Sequence, residues 1–165
     1  MSVFSKINID TYGDNAWQNF NDMATEVEKG SEGRKKLIET LSYEQLDAIM
    51  EAIPFEVTFV DAEDTVAYFN RLDKEKLFPR TRSVIGRKVE KCHPEKSVDV
   101  VGRIVGGFKD KTLDKAEFWI DFKNDKILIR YFPVYNDLGD YMGVVEVTQA
   151  IGEIQKLTGQ KRLLD

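Results

Sequence analysis

The sequence predicts an α+β domain: a five-stranded antiparallel sheet with helices on one face, an N-terminal helical extension and a C-terminal exit helix. Three observations predict it. Apolar residues recur at helical spacing up to Ile53, the period then drops to two in a pair of runs over 55–69, and three more β-rich runs follow one long amphipathic stretch. Hairpin runs with helices inserted between the second and third strands imply a sheet covered on one side.

Asp14 stands as an N-cap before Trp17, Phe20, Ala24 and Val27, which share one stripe, and Gly30 ends that helix. Glu32 to Leu41 forms a shorter candidate with Leu37, Ile38 and Leu41 on it. Ser42 and Gln45 have capping-box spacing, Leu46, Ile49, Met50 and Ile53 follow on one face, and Pro54 stops the helix. Phe55 to Val60 is β-branched and aromatic, Asp61 to Asp64 turns the chain, and Thr65 to Phe69 resumes it. Residues 70–91 are polar and irregular, with a short helical stretch near Leu72 to Phe78 and a turn at Gly86. Pro94 suits the first turn of a helix whose apolar face is Val98, Val101, Ile104, Val105 and Phe108. Ala116 to Phe122 alternates as a half-buried strand, Asn124 and Asp125 turn it, and Ile127 to Tyr135 returns. A loop over 136–140 leads to a last strand, Tyr141 to Thr148, and then to an amphipathic helix with Ile151, Ile154, Leu157 and Leu164. The expected division is an extension over 1–42, a domain over 43–149 and an exit helix over 150–165.

Composition narrows the function. The chain has 165 residues, 42% hydrophobic and 32% charged, enough for one real core. A net charge of −5, with bases scattered among acids, points away from nucleic acid and anionic membranes. The single cysteine, Cys92, allows no intrachain disulfide, which fits a reducing, cytoplasmic setting. No apolar run approaches the roughly 18 residues that span a bilayer, and the opening MSVFSKINID has no signal-peptide character. The single histidine, His93, excludes a multi-histidine zinc site within one chain. With no phosphate-cradling loop, nucleophile elbow or ligand pair at helical spacing, an enzyme is not expected.

Several segments carry a family resemblance. PFEVTFVDAEDTVAYFN (54–70) resembles the opening hairpin of a PAS domain, and GDYMGVVEVTQAI (139–151) resembles its closing strand running into a signalling helix. FPRTRSVIGRKVEKCHPEKSV (78–98), with FWI (118–120) and IRYF (129–132), resembles a bacterial subfamily often found C-terminal to hemerythrin-like domains. The resemblance covers about residues 43–165. It implies a central cavity for a small-molecule ligand, signalling through flanking helices and a homodimer. It leaves the cofactor unknown, because PAS domains hold heme, flavin, small acids or nothing. The Asn-Cys-Arg run of flavin photoreceptors is absent.

Candidate site residues follow. His93 heads the long helix, near where heme-binding PAS domains take their axial histidine. Its imidazole can ligate iron, with Cys92 as a second soft donor, or it can simply cap the helix or make a polar pocket contact. Cys92 is either redox-reactive through a thiolate stabilised by the helix N-terminus or a buried, inert thiol. Tyr68, Phe69, Trp119, Arg130, Tyr131 and Phe132 lie on strands, half of them facing the helices. Arg130 suits a ligand carboxylate, or else a cross-strand pair with Glu117 or Glu146. Trp119, if outward, packs on a flanking helix. Arg80 and Arg82 either meet an anionic ligand or sit in a solvated loop. Gly102, Gly106 and Gly107 each cost the helix about 1 kcal/mol, which fits room for a flat ligand or close backbone approach, or else tight helix-on-sheet packing or a frayed helix end. The expected ligand-binding set is His93, Cys92, Arg130, Tyr131, Trp119, Phe69 and Arg82, with His93 also the candidate metal ligand. The expected function is a sensory module. The alternatives are a heme- or metal-binding redox sensor using His93, and a ligand-free dimerisation or interaction module.

Overall fold

The computed structural model describes residues 37–71, 76–92 and 95–161. The helix expected from Asp14 to Gly30, His93, Pro94 and Leu164 lie outside them. The chain divides into two units, 1–42 and 43–165. In the first, the described residues form one 3-10 turn, Leu37–Thr40.

The second unit opens with α1 (Tyr43–Ala52), which starts directly after Ser42 and ends just before Pro54. Then come β1 (Glu56–Asp61), β2 (Val66–Phe69), α2 (Glu95–Lys109), β3 (Ala116–Phe122), β4 (Asp125–Tyr135) and β5 (Tyr141–Ala150). The five strands form one antiparallel sheet in the order β2-β1-β5-β4-β3, the expected α+β arrangement. Between β2 and α2 the described chain makes two 3-10 turns, Arg82–Val84 and Val89–Cys92. Of the short helix expected near Leu72 to Phe78, residues 72–75 lie outside the described residues. No described helix is long and apolar enough to cross a membrane.

Local chemistry sets the turns. Asp61 Oδ1 accepts from the amides of Thr65 (2.8 Å) and Glu63 (3.1 Å), which closes the β1–β2 turn. Lys123 and Asn124 both have positive φ, 51° and 62°, as a two-residue hairpin turn with strand-matched twist requires. The turn therefore sits one residue earlier than Asn124–Asp125. Asp125 instead opens β4, and its Oδ1 accepts from the Gly152 amide at 2.8 Å.

That last bond also corrects the exit helix. β5 runs to Ala150, and the Ile151 amide donates to Lys126 O at 2.8 Å, so the ladder continues past the expected strand end. Beyond it, Ile154–Lys156 is a single 3-10 turn, and the described part of 150–165 contains no α-helix.

The core lies between the sheet and α2, where Val60, Val66, Phe108 and Val144 cluster and Phe108 is fully buried. Tyr135 donates its hydroxyl to Phe108 O at 2.5 Å, satisfying a carbonyl of the last turn of α2. Gly102 and Gly106 face away: both are exposed, and a Cβ there would meet nothing within 4 Å. Ligand room, close backbone approach and tight packing do not apply to them. Gly107 does pack tightly, since a Cβ would stand 2.6 Å from Leu113 Cδ1.

At Gly143, β5 passes close against β1. Its φ is 142°, and a Cβ would run into Val60 O and sit 2.9 Å from the Phe59 ring. Gly143→Ala is expected to lower the unfolding free energy by about 2 kcal/mol through strain and displaced backbone. Urea denaturation measures this, and an unchanged midpoint would contradict it.

Candidate functional site

Side chains directly opposite one another in a sheet share a face. Thr58 on β1 pairs with Glu146 on β5, Glu146 with Tyr131 on β4, and Tyr131 with Ala116 on β3. This row faces α2. Over it lies a cavity of about 570 Å³. Val101, Ile104 and Val105 of α2 form one wall, Val60, Ile129 and Val144 of the sheet form the floor, and the segment 78–92 closes the side.

Polar groups converge at one place in this apolar space. Arg80 reaches in from the segment after β2 and donates through Nη2 to Glu146 Oε1 at 2.6 Å and through Nη1 to the Thr58 hydroxyl. The side chains of Arg80 and Glu146 are only 23% and 13% exposed. Thr148 Oγ1 also donates to Glu146 Oε1, at 3.5 Å, and the Tyr131 hydroxyl bonds to the same carboxylate. The pair is thus largely withdrawn from water but well supplied with partners, the condition under which a buried ion pair is tolerated. Phe118 stacks on Tyr131 with ring centres 6.1 Å apart and is itself 42% exposed, so it stands at the cavity's edge.

Three phenols are held neutral beyond their ordinary range. Burial raises Tyr131 strongly, and the neighbouring Glu146 charge adds to it. Burial, then Asp64, pushes Tyr141 up to about 12. Burial, then Glu51 and Asp47 of α1, raises Tyr68. A phenol whose pKa is higher folded than unfolded lends stability that is whole below the unfolded value of about 10 and is lost as the pH climbs past it. Stability should therefore fall between pH 10 and 12. An ultraviolet titration of native protein should show fewer than the chain's six tyrosines ionised at pH 11, with all six released on unfolding. Six ionising together in the native state would contradict this.

The structure brings together only part of the expected site set. Cys92 and Tyr131 line the cavity. Cys92 is exposed rather than buried, at the end of its 3-10 turn, with Sγ 3.7 Å from Lys88 O. His93 lies outside the described residues. Trp119 and Arg130 fall on the opposite face of the sheet, because each is one residue out of step with an inward neighbour, Phe118 or Tyr131. Trp119 is 63% exposed. Arg130 reaches Gln149 at 3.4 Å and takes neither expected partner: Glu117 pairs with Lys115 at 3.3 Å, and Glu146 points into the cavity. Phe69 ends the row on edge strand β2, buried under the Lys76 ammonium 4.8 Å from its ring, and does not line the cavity. Arg82 is exposed in its turn, and Arg80 is the inward arginine of the two. Thr58, Glu146 and Thr148 were not anticipated as cavity residues, although their alternation with Val60 and Val144 carries the signal. Among the described residues, no group of three or more histidine, cysteine or carboxylate side chains gathers to hold a metal.

A family model described as PAS domain matches residues 46–152. No curated protein matches the chain. The crystal structure of a C-terminal domain from Streptococcus mutans is similar at 33% identity, over 72% of this chain and 91% of that one, with a TM-score of 0.66. The PAS domain of a protein from Colwellia psychrerythraea is 14% identical over 67% of this chain and 97% of that one, with a TM-score of 0.51. The VqmA dimer of Vibrio cholerae is 15% identical over 74% of this chain and 58% of that one, with a TM-score of 0.52. At such identities the last two speak for the fold alone.

Proposed function

We propose, from the premise that this chain belongs to the PAS domain family, that it is a non-catalytic sensory module holding a small molecule in the sheet–helix cavity. One observation carries this reading: an apolar cavity of about 570 Å³ into which a few polar side chains converge. That combination of greasy walls and placed polar groups is the ordinary signature of a ligand site. The cavity also weighs against a ligand-free interaction module, whose core would be filled.

The route of the signal follows from the same residues. Arg80 belongs to the segment after β2, and Glu146 belongs to β5, which runs on into 151–161. A ligand that binds one arrangement of this pair better than another shifts both segments together. Homodimerisation, which the resemblance implies, completes the reading, and sedimentation of the intact chain measures it. The chain's finer likeness is to bacterial members C-terminal to hemerythrin-like domains, and the C-terminal position of the Streptococcus mutans relative supports that reading.

Native mass spectrometry of the protein as purified, with a melting scan across a metabolite set, tests the proposal. A ligand at about 100 times its Kd adds about 2.7 kcal/mol, a rise of roughly 10 °C for a domain of this size. No added mass and no shift with any compound would overturn it. A Soret band that shifts in His93→Ala would instead give the cavity to heme.

A further inference from the structure

The chemistry of the cavity selects a ligand class, an inference that rests on the sensory reading above. Three cationic side chains, Arg80, Arg87 and Lys91, line the space against one carboxylate, Glu146. Glu146 is already served by Arg80, Thr148 and Tyr131, so a cationic ligand finds its natural partner taken. Arg80 is in the opposite position. A guanidinium has five N–H donors in a fixed fork, and the bonds to Glu146 and Thr58 account for two of them. It can bridge Glu146 to a second oxyanion. Arg87 and Lys91 are exposed on the segment 78–92, whereas the α2 wall along which the body lies is Val101, Ile104 and Val105. A diacid is therefore disfavoured, because a second carboxylate at the far end of that body would lose its water without a partner.

We propose that the cavity takes an amphipathic monocarboxylate, a single carboxylate on an apolar body, with the acid at Arg80 and the body along α2. Each methylene laid against the α2 wall adds roughly fourfold in affinity. The body is either a linear chain or an aromatic ring, and the probes distinguish the two.

Titration calorimetry on the full chain compares octanoate and 3-phenylpropanoate with their primary amides and with octanedioate. Each acid that binds should do so roughly tenfold or more tighter than its amide, the worth of a charge-assisted hydrogen bond. Octanoate should exceed hexanoate, and octanedioate should bind more weakly than octanoate. Arg80→Met combined with Glu146→Leu removes both charges while keeping an apolar cavity, and should bring acid and amide to equal affinity. Arg80→Lys, which keeps the charge and loses the fork, should fall between. An amide as tight as its acid, or a tighter dicarboxylate, overturns the ligand class and leaves the sensory reading standing. If no probe binds and purified protein carries no ligand, both fall.

Discussion

Asn70→Leu is expected to lower the unfolding free energy by about 4 kcal/mol, a large fraction of what a domain this size has. Asn70 is fully buried and sits where β2 ends. Its Oδ1 accepts from the Val57 amide at 2.7 Å, and its Nδ2 donates to Met50 O at 2.9 Å and Phe55 O at 3.1 Å. One side chain thus fastens the end of α1, the Pro54 corner and the start of β1. Leucine has similar volume but answers none of the three backbone groups, and Val57 is itself buried. Aspartate keeps the acceptor for Val57 but turns an anion toward two carbonyls, so Asn70→Asp should be as damaging at neutral pH. Urea denaturation with an unchanged m-value measures the effect, and a loss under about 1 kcal/mol would contradict it.

Glu146→Leu should cost about 3 kcal/mol, because it strands the Arg80 guanidinium in an apolar cavity. The figure sits at the lower end for a broken buried pair, since Arg80 keeps 23% exposure and can turn partly to water. The decisive comparison is the double variant. Arg80→Met with Glu146→Leu should recover most of the loss, because no charge is then left without its partner. A double variant no more stable than Glu146→Leu would show that the pair contributes through packing rather than charge.

How much of this was legible in the sequence depended on the range of the interaction. Strict alternation in Ala116–Phe122 and the apolar stripe of Val101, Ile104, Val105 and Phe108 announce β3 and α2 by local period alone. The β3–β4 turn came out one residue late because left-handed Lys123 carries no glycine-like signature. Arg130 and Tyr131 looked like one set, but neighbours on a strand face opposite ways, and only Tyr131 belongs to the cavity. Arg80 and Glu146 are 66 positions apart, and nothing local says that they meet. Asn70 reads as a loop residue, because its role is to satisfy backbone groups that only the tertiary fold brings near. The exit helix failed for the same reason: Ile151 has helical spacing, yet its amide is claimed by Lys126 across the hairpin.

The order β2-β1-β5-β4-β3 places the first strand and the last side by side at the centre of the sheet, with Glu56 opposite Thr148. On a ribosome, then, β1 and β2 must wait as an isolated hairpin, marginal in water, until almost the whole domain has been synthesised. The closing step joins sites separated by nearly its full length, so folding should be limited by that docking and sensitive to changes in β5. A nascent chain stopped short of residue 150 would leave β1 with an open edge, ready to pair with another chain.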